Sequence, residues 1–318
     1  MNIVFAGLGL VILLLAGDVL VRGAVNLGLR LGIPALIVSL TIVAFGTSAP
    51  ELLIAIRAAV EGYPGIAIGN VVGSNTANVL MVLGIPAMIA GINSASCDSR
   101  KTYVFMLIAT VAFITLAFLG PLHYWHGIIL LALLAVMLGD SYMTARKHRN
   151  GGAVCEPAVD LDAIEEVDTN MPGWKIGLFI GLGLIGLPLG ADLLVDGAVG
   201  VARHFGIDEA TIGLTLVAIG TSLPELATTI VAALRKHGDV AMGNVIGSNM
   251  FNLLAIMGVA SFFGPLAVPQ GILHLDLWVM LGSSLVIIPF VFGRQNITRL
   301  WGVALTAAYI GYLVFLLA

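Results

Sequence analysis

Charged residues are scarce in this chain. Of its 318 residues, 10% are Asp, Glu, Lys or Arg and 59% are apolar, and the mean hydropathy is +1.06. Soluble domains carry about 25% charged residues, which is enough to cover a surface that faces water. A chain this poor in charge must lie in lipid, which excludes a soluble enzyme and a disordered protein. The net charge of −4, without a basic patch, excludes a nucleic-acid-binding protein.

Cysteine is nearly absent as well. Cys97 and Cys155 cannot form a disulfide framework, and neither has the spacing of a metal ligand. A basic residue is also lacking ahead of the first apolar run, residues 3–16, whereas a signal peptide carries its positive charge there. We therefore expect residues 1–20 to form the first membrane helix and to be kept in the mature protein.

Long apolar runs are abundant. Polar and Gly/Pro breaks separate ten of them, and about 20 apolar residues suffice for a spanning helix. The sequence therefore predicts an all-α integral membrane protein with ten transmembrane helices, at residues 2–20, 34–60, 65–91, 102–119, 124–144, 173–193, 208–234, 239–263, 273–292 and 298–317.

Basic residues predict the orientation, because cytoplasmic loops collect Lys and Arg. With the N-terminus outside, twelve of the fourteen basic residues lie at inner helix ends, and only Arg57 and Arg203 lie outside. We expect a multi-pass protein of the cell's inner (cytoplasmic) membrane, with both termini outside. The single long connection, 145–172, is then cytoplasmic; its six acids lack the calcium-loop pattern of an EF-hand, which favours a solvated linker.

The chain repeats itself after 174 residues. Gly46-Thr-Ser-Ala-Pro-Glu51 aligns with Gly220-Thr-Ser-Leu-Pro-Glu225, and Gly69-Asn-Val-Val-Gly-Ser-Asn75 aligns with Gly243-Asn-Val-Ile-Gly-Ser-Asn249. Nineteen of 39 positions are identical between 46–84 and 220–258, and Asp18 recurs as Asp192. A shared apolar bias cannot align Glu, Asn, Ser and Pro in register.

Each repeat holds five predicted helices. Because five is odd, the second copy enters the membrane upside down relative to the first. Inverted repeats of this kind are typical of transporters, whose binding site lies near the midplane between the repeats. The sequence thus divides into a first five-helix repeat, 1–144, an acidic cytoplasmic linker, 145–172, and a second, inverted repeat, 173–318.

Two carboxylates lie well inside apolar segments. A carboxylate near the bilayer centre costs several kcal/mol, so Glu51 and Glu225 should face a cavity and meet a cation. Thr47 and Ser48 share a helix face with Glu51 at spacings of four and three residues. Pro50 lacks an N–H and leaves the carbonyl of Gly46 without its helical partner. The second repeat offers the same groups.

The donors in these motifs are all oxygen atoms, which makes zinc or copper a poor fit. The next helix adds Ser74 and Asn78, also four residues apart, and its equivalent adds Ser248 and Asn252. Ca²⁺ takes six to eight oxygen ligands in flexible geometry. The same oxygens can hold Na⁺, and this overlap is what coupled exchange requires. The glycine pairs 69/73 and 243/247 have the spacing that lets helices approach closely.

The doubled pattern G-T-S-x-P-E and G-N-x-x-G-S-N-x-x-N resembles the α-repeats of the cation/Ca²⁺ exchanger superfamily, and most closely its prokaryotic Na⁺/Ca²⁺ exchangers. The resemblance covers essentially the whole chain. It implies a secondary antiporter that works by alternating access, in which the first helix of each half, 2–20 and 173–193, slides. By this analogy the ion ligands are Glu51, Glu225, Thr47, Thr221, Ser48, Ser222, Ser74, Ser248, Asn78 and Asn252, with the backbone carbonyls of Ala44 and Ala218.

Some members of that superfamily, notably K⁺-dependent ones, carry Asp where this chain has Asn78 or Asn252. The two amides leave the number of bound ions and any use of H⁺ open. Asp18 and Asp192, expected near the ends of the two sliding helices, are interpreted as helix-end solvation, with a gating role as the alternative.

Three other functions compete with Na⁺/Ca²⁺ exchange. A carboxyl group in a dry pocket can also carry a proton, so an H⁺/Ca²⁺ antiporter using the same site is the nearest alternative. An aspartyl membrane protease would need a complete GxGD motif, which neither Gly17-Asp18 nor Gly139-Asp140 provides. A passive channel is the third. We expect a transporter rather than an enzyme, with Ca²⁺ and Na⁺ as substrates, no cofactor and no obligatory protein partner.

Overall fold

A computed structural model describes residues 2–30, 48–93, 100–148, 171–236, 238–293 and 295–318. Within these ranges the chain is helical, and its only extended pairs are two isolated bridges. The α-helices are α1 (Asn2–Arg30), α2 (Ala49–Val60), α3 (Pro64–Ala77), α4 (Gly84–Ala90), α5 (Arg100–Phe118), α6 (Tyr124–His148), α7 (Gly173–Phe205), α8 (Glu209–Ile212), α9 (Ala218–Thr221), α10 (Leu223–Leu234), α11 (Gly238–Phe251), α12 (Met257–Ala260), α13 (Leu277–Val286), α14 (Ile288–Phe292) and α15 (Arg299–Leu317).

Short π-helical turns interrupt several of these helices. In the described residues they are π1 (Asn78–Val82), π2 (Gly213–Val217), π3 (Asn252–Ile256) and π4 (Ile272–Asp276). The turns π1 and π3 lie 174 residues apart, so the repeat seen in the sequence is also a repeat of local backbone geometry. Such turns concentrate at functional sites, because they re-aim the side chains that follow them.

The membrane-spanning character is clear from length and composition. Seven helical stretches among the described residues are long and apolar enough to cross a bilayer, and a bent pair, Glu209–Thr221 with Leu223–Leu234, makes an eighth if it counts as one span. The most apolar window of Pro64–Ala90 is entirely buried, whereas that of Arg299–Leu317 is only 22% buried. The peripheral helices therefore present apolar side chains outward, as a lipid-facing surface requires.

The first helix of each half is longer than the sequence predicted. The predicted ends were residues 20 and 193, but α1 continues to Arg30 and α7 to Phe205. Asp18 and Asp192 consequently lie in mid-helix, and the expectation that they sit near helix ends was wrong. A charged residue does not stop a helix when it finds a partner: Asp18 pairs with Arg22 one turn later at 2.9 Å, and Asp192 pairs with Arg57 of α2 at 2.8 Å.

The two long helices α1 and α7 pack against each other in opposite directions. Gly9 of α1 lies against Gly190 of α7, and Gly183 of α7 lies against Ala16 of α1. These two contacts are equivalent, because adding 174 to 9 and 16 gives 183 and 190. A Cβ atom at any of the three glycines would collide with the opposing helix, so glycine is what allows the close approach.

Contacts elsewhere recur with the same offset. An isolated bridge joins Ile92 to Ile297, and another joins Leu122 to Leu266. The partners exchange places between the two bridges: 92 and 266 differ by 174, while 122 and 297 differ by 175. Two copies of one chain fold related by a two-fold axis produce this reciprocal pattern.

Candidate ion-binding site

Each of the two repeated acidic motifs stands at the start of a helix, and the second motif is described together with the helix that precedes it. Helix α9 ends at Thr221, α10 begins at Leu223, and the helical stretch Glu209–Thr221 is bent by 44° from Leu223–Leu234. Pro224 stands at the start of α10, where the missing N–H of proline costs no helical hydrogen bond. Glu225 follows in the first turn, a position where the helix dipole favours a negative charge.

The first motif has the same local geometry where it is described. Ser48 precedes α2 with φ −91° and ψ 4°, against −81° and 2° for Ser222. Pro50 and Glu51 then occupy the first turn of α2. Thr47 and the carbonyl of Ala44, two of the predicted ligands, lie outside the described residues.

The two halves meet at the carboxylates. Glu51 is 1% exposed and Glu225 2% exposed, although both lie in otherwise apolar protein. The Thr221 hydroxyl and the Glu225 carboxyl group, both from the second half, lie close enough to the Glu51 carboxylate, from the first half, to interact with it electrostatically. The repeated motifs therefore lie side by side.

Hydroxyl groups from both halves extend this contact. The Ser74 hydroxyl on α3 lies 3.4 Å from the Thr221 hydroxyl. Both also donate to the side-chain oxygen of Asn70, at 3.4 Å from Ser74 and 3.2 Å from Thr221. The carbonyl of Ala218, another predicted ligand, accepts the backbone N–H of Ser222 at 3.1 Å. Ser248 on α11 is buried, with 7% of its surface exposed.

Four asparagines form a layer across the two halves. Asn75 Nδ2 donates to the backbone carbonyl of Asn249 at 3.3 Å, and Asn249 Nδ2 donates to the backbone carbonyl of Asn75 at 3.2 Å. Asn252 Nδ2 donates to Asn75 Oδ1 at 3.1 Å, and Asn78 Nδ2 donates to Asn249 Oδ1 at 3.0 Å. Residues 75 and 249 are repeat equivalents, as are 78 and 252, so each of these hydrogen bonds has an equivalent under the 174-residue repeat.

Six buried oxygens at this centre accept or donate no hydrogen bond within the described part of the chain. They form three repeat-equivalent pairs: the hydroxyls of Ser48 and Ser222, Oε2 of Glu51 and Glu225, and Oδ1 of Asn78 and Asn252. A buried oxygen without a partner costs about 1–3 kcal/mol, and more if it is charged. All six belong to the predicted ligand set, and a bound cation would satisfy them.

Sequence reasoning missed the residues that support this set. Asn70, Asn75 and Asn249 were read only as parts of the motif, as was Asn244, which bonds Thr228 and Thr229 at 3.0 Å each. The available signal was their exact recurrence after 174 residues, because an amide buried in an apolar helix has to find a partner.

Comparison with known proteins identifies the family. A family model described as sodium/calcium exchanger protein matches residues 1–143 and 175–318. This chain belongs to that family. The sodium/calcium exchanger MaX1 of Methanosarcina acetivorans is 31% identical over 349 aligned positions, which cover 99% of this chain and 98% of that protein. The candidate antiporter CaxA of Alkalimonas amylolytica is 34% identical, over 97% of this chain and 96% of that one.

Solved structures agree with the family assignment. The sodium-calcium exchanger NCX_Mj, in crystals soaked with Na⁺ and Sr²⁺, superposes with a TM-score of 0.62 at 30% identity, over 98% of this chain and 97% of that one. The resemblance inferred from the repeated motifs is thereby confirmed. The chain is a multi-pass membrane protein of a family of ion-exchanging transporters, and the substrates of that family are Ca²⁺ and Na⁺.

Proposed function

We propose that this protein exchanges Na⁺ for Ca²⁺ across the membrane by alternating access, with the ions bound between its two halves. The observation that carries the proposal is the set of six buried oxygens that have no hydrogen-bond partner among the described residues, arranged as three repeat-equivalent pairs. Two carboxylates balance the charge of one Ca²⁺, and hydroxyl and amide oxygens complete a coordination shell of the kind Ca²⁺ prefers. The same oxygens hold Na⁺ when Ca²⁺ leaves.

The proposed ligand set is the one predicted from the sequence. Glu51 and Glu225 supply charge, and the hydroxyls of Thr47, Thr221, Ser48, Ser222, Ser74 and Ser248 with the amide oxygens of Asn78 and Asn252 supply neutral ligands. The carbonyls of Ala44 and Ala218 complete it. Support comes from the burial of every described member and from the contacts that bring Thr221 to both Glu51 and Ser74.

The architecture we propose is ten transmembrane helices in two inverted repeats, 1–144 and 173–318, joined by the cytoplasmic linker 145–172. The antiparallel packing of α1 on α7, the paired turns π1 and π3, and the reciprocal bridges all support an inverted repeat. In such a pair each half can adopt the conformation of the other, so an inward-open state implies a matching outward-open one. The glycine-lined contact between α1 and α7 supports their sliding as a unit.

We further propose that the N-terminus of α1 lies outside the cytoplasmic membrane. Arg30 at the end of α1 lies beside Gly173 at the start of α7, two residues from Lys175, and Arg100 at the start of α5 bonds the carbonyl of Phe292 at 3.1 Å. Contacts of this kind support a common end of the molecule for the basic residues. Cytoplasmic faces collect Lys and Arg.

The decisive experiment is ⁴⁵Ca²⁺ uptake into proteoliposomes loaded with Na⁺ or with choline, at the same pH on both sides. We expect rapid uptake only from Na⁺-loaded vesicles. Uptake from choline-loaded vesicles that requires an imposed pH gradient would instead establish H⁺/Ca²⁺ exchange. This is the specific alternative because the buried carboxyl groups of Glu51 and Glu225 lie close enough to interact. Flux that needs no counter-ion on the opposite side would establish a channel.

A further inference from the structure

The four asparagines of the layer can each present either an oxygen or an NH₂ group to a neighbouring residue or ion, depending on how the side-chain amide is turned. A carboxylate presents oxygen whichever way it is turned, but an amide presents oxygen on one side and NH₂ on the other. A cation binds the oxygen and is repelled by the NH₂ group. With Asn at both 78 and 252, each ligand works in only one of its two orientations.

Backbone carbonyls give the layer its direction. The carbonyls of Asn249 and Asn75 can only accept, so the side chains of Asn75 and Asn249, respectively, must turn their NH₂ groups toward them, as they do at 3.3 and 3.2 Å. Asn75 Nδ2 has a second acceptor in Met280 Sδ at 3.8 Å. The oxygen of each of these two amides is then left to face the next asparagine.

That oxygen in turn fixes the ligand. Asn75 Oδ1 can only accept, so Asn252 presents its NH₂ group to it at 3.1 Å, and Asn78 presents its own to Asn249 Oδ1 at 3.0 Å. What remains of Asn78 and Asn252 is Oδ1, and these are the two buried amide oxygens that have no partner in the described chain. The backbone carbonyls thus fix the orientation of Asn75 and Asn249, and these two side chains fix which atom of Asn252 and Asn78 is left to face a cation.

We propose that Asn75 and Asn249 are positioning residues that set which atom of Asn252 and Asn78 faces the ion. They do so without binding it, and each half of the protein orients the ligand of the other. The proposal rests on the proposed function, because it takes Asn78 and Asn252 to be ligands. It deepens that function by explaining how a site built with amides selects cations.

The test is a double-mutant cycle on Ca²⁺ affinity, measured as ⁴⁵Ca²⁺ binding to purified protein and as the Ca²⁺ concentration for half-maximal exchange. Removing a partner that orients a metal ligand typically weakens affinity about 10- to 100-fold. We expect Asn75→Ala to do so in the unmodified protein. In an Asn252→Asp background the same change should have less than about a threefold effect, since a carboxylate needs no orienting partner.

The second half of the site gives an independent cycle, with Asn249→Ala tested alone and in an Asn78→Asp background. An equal loss from the alanine changes in both backgrounds would mean that these asparagines only pack the helices, and would overturn the proposal. So would loss of folding in all the alanine variants, judged by thermal unfolding in detergent.

Glu51→Gln separates this proposal from the function on which it rests. If that variant binds Ca²⁺ normally, the site itself is wrong and the cycles lose their basis. If Glu51→Gln loses binding while each alanine change acts equally in both backgrounds, the site stands and the orienting role fails.

Discussion

At the scale of single residues, the site is defined by buried oxygens that the protein leaves unsatisfied. Ser222, Glu225 and Asn252, like their equivalents in the first half, are nearly inaccessible, and each has one oxygen without a hydrogen bond to any described residue. Burying these oxygens without hydrogen bonds destabilises the fold, and a ligand that binds them during part of the transport cycle would offset that free-energy cost. The two carboxylates should dominate, because they alone carry charge.

We expect Glu51→Gln and Glu225→Gln each to lower Ca²⁺ affinity by about 100-fold or more, since removing one partner of a buried charge interaction costs about 3–5 kcal/mol. The shape of the side chain is preserved, so the protein should still fold. Glu209→Gln, the same change at the start of α8, is the matched control and should exchange normally. Normal exchange by both site variants would contradict the proposed site.

Potassium provides a second residue-scale prediction. With amides at 78 and 252 the site has no third carboxylate, and a further monovalent cation without a compensating charge is costly in a buried pocket. We expect exchange at the same rate with K⁺ present or replaced by an inert cation, with the membrane potential clamped by an ionophore. Asn252→Asp should alter ion preference or pH dependence. A strict K⁺ requirement in the unmodified protein would show that the argument from the amides is wrong.

At the scale of elements, α1 and α7, the two helices that we propose to slide, differ in their ion pairs. Asp192 of α7 forms an ion pair with Arg57 of α2, and Arg57 also pairs with Glu61. The repeat equivalent of Arg57 is Val231, which cannot form an ion pair with Asp18; among the described residues Asp18 pairs with Arg22 of its own helix. An ion pair between α7, which moves in the proposed cycle, and the neighbouring α2 stabilises the conformation in which the pair is formed relative to conformations in which it is broken.

We therefore expect Asp192→Asn to change the maximal exchange rate by up to about fivefold, because partly exposed ion pairs contribute about 0.2–1 kcal/mol. Equilibrium Ca²⁺ binding should change less than the rate does. Asp18→Asn is the control, since its partner Arg22 lies in the same helix. The same change of rate in both variants would argue against a role for the link between α2 and α7.

The sequence predicted these elements unevenly, for physical reasons. Motif position and the 174-residue offset located Glu51 and Glu225 correctly in the interior. A carboxylate that recurs within apolar segments of both repeats has to face an interior polar site rather than lipid. Helix ends at 20 and 193 were wrong. The partner of Asp192 comes from a distant helix, which no local signal reveals, whereas the partner of Asp18 is Arg22 in the next turn, a local pair that a division at polar residues overlooks. The π-helical turns and the bonding of Asn75 to Asn249 depend on packing between halves, which a single sequence read in order does not contain.

At the scale of the whole molecule, orientation is the property that a simple experiment can decide. Cys155 lies in the linker that we propose to be cytoplasmic, outside the described residues. In a Cys97→Ser variant, which leaves Cys155 as the one thiol, we expect a membrane-impermeant thiol reagent to label the protein only after cells are opened. Labelling in intact cells would reverse the orientation. A variant that also carries Cys155→Ser measures the background.

The mutual bonds of Asn75 and Asn249 have a consequence for motion. Because the two residues are repeat equivalents, an operation that gives each half the conformation of the other turns this contact into itself. In the proposed cycle the contact between Asn75 and Asn249 therefore keeps its geometry while α1 and α7 move. This contact is bonded directly to Asn78 and Asn252, so it lies next to the proposed ion ligands.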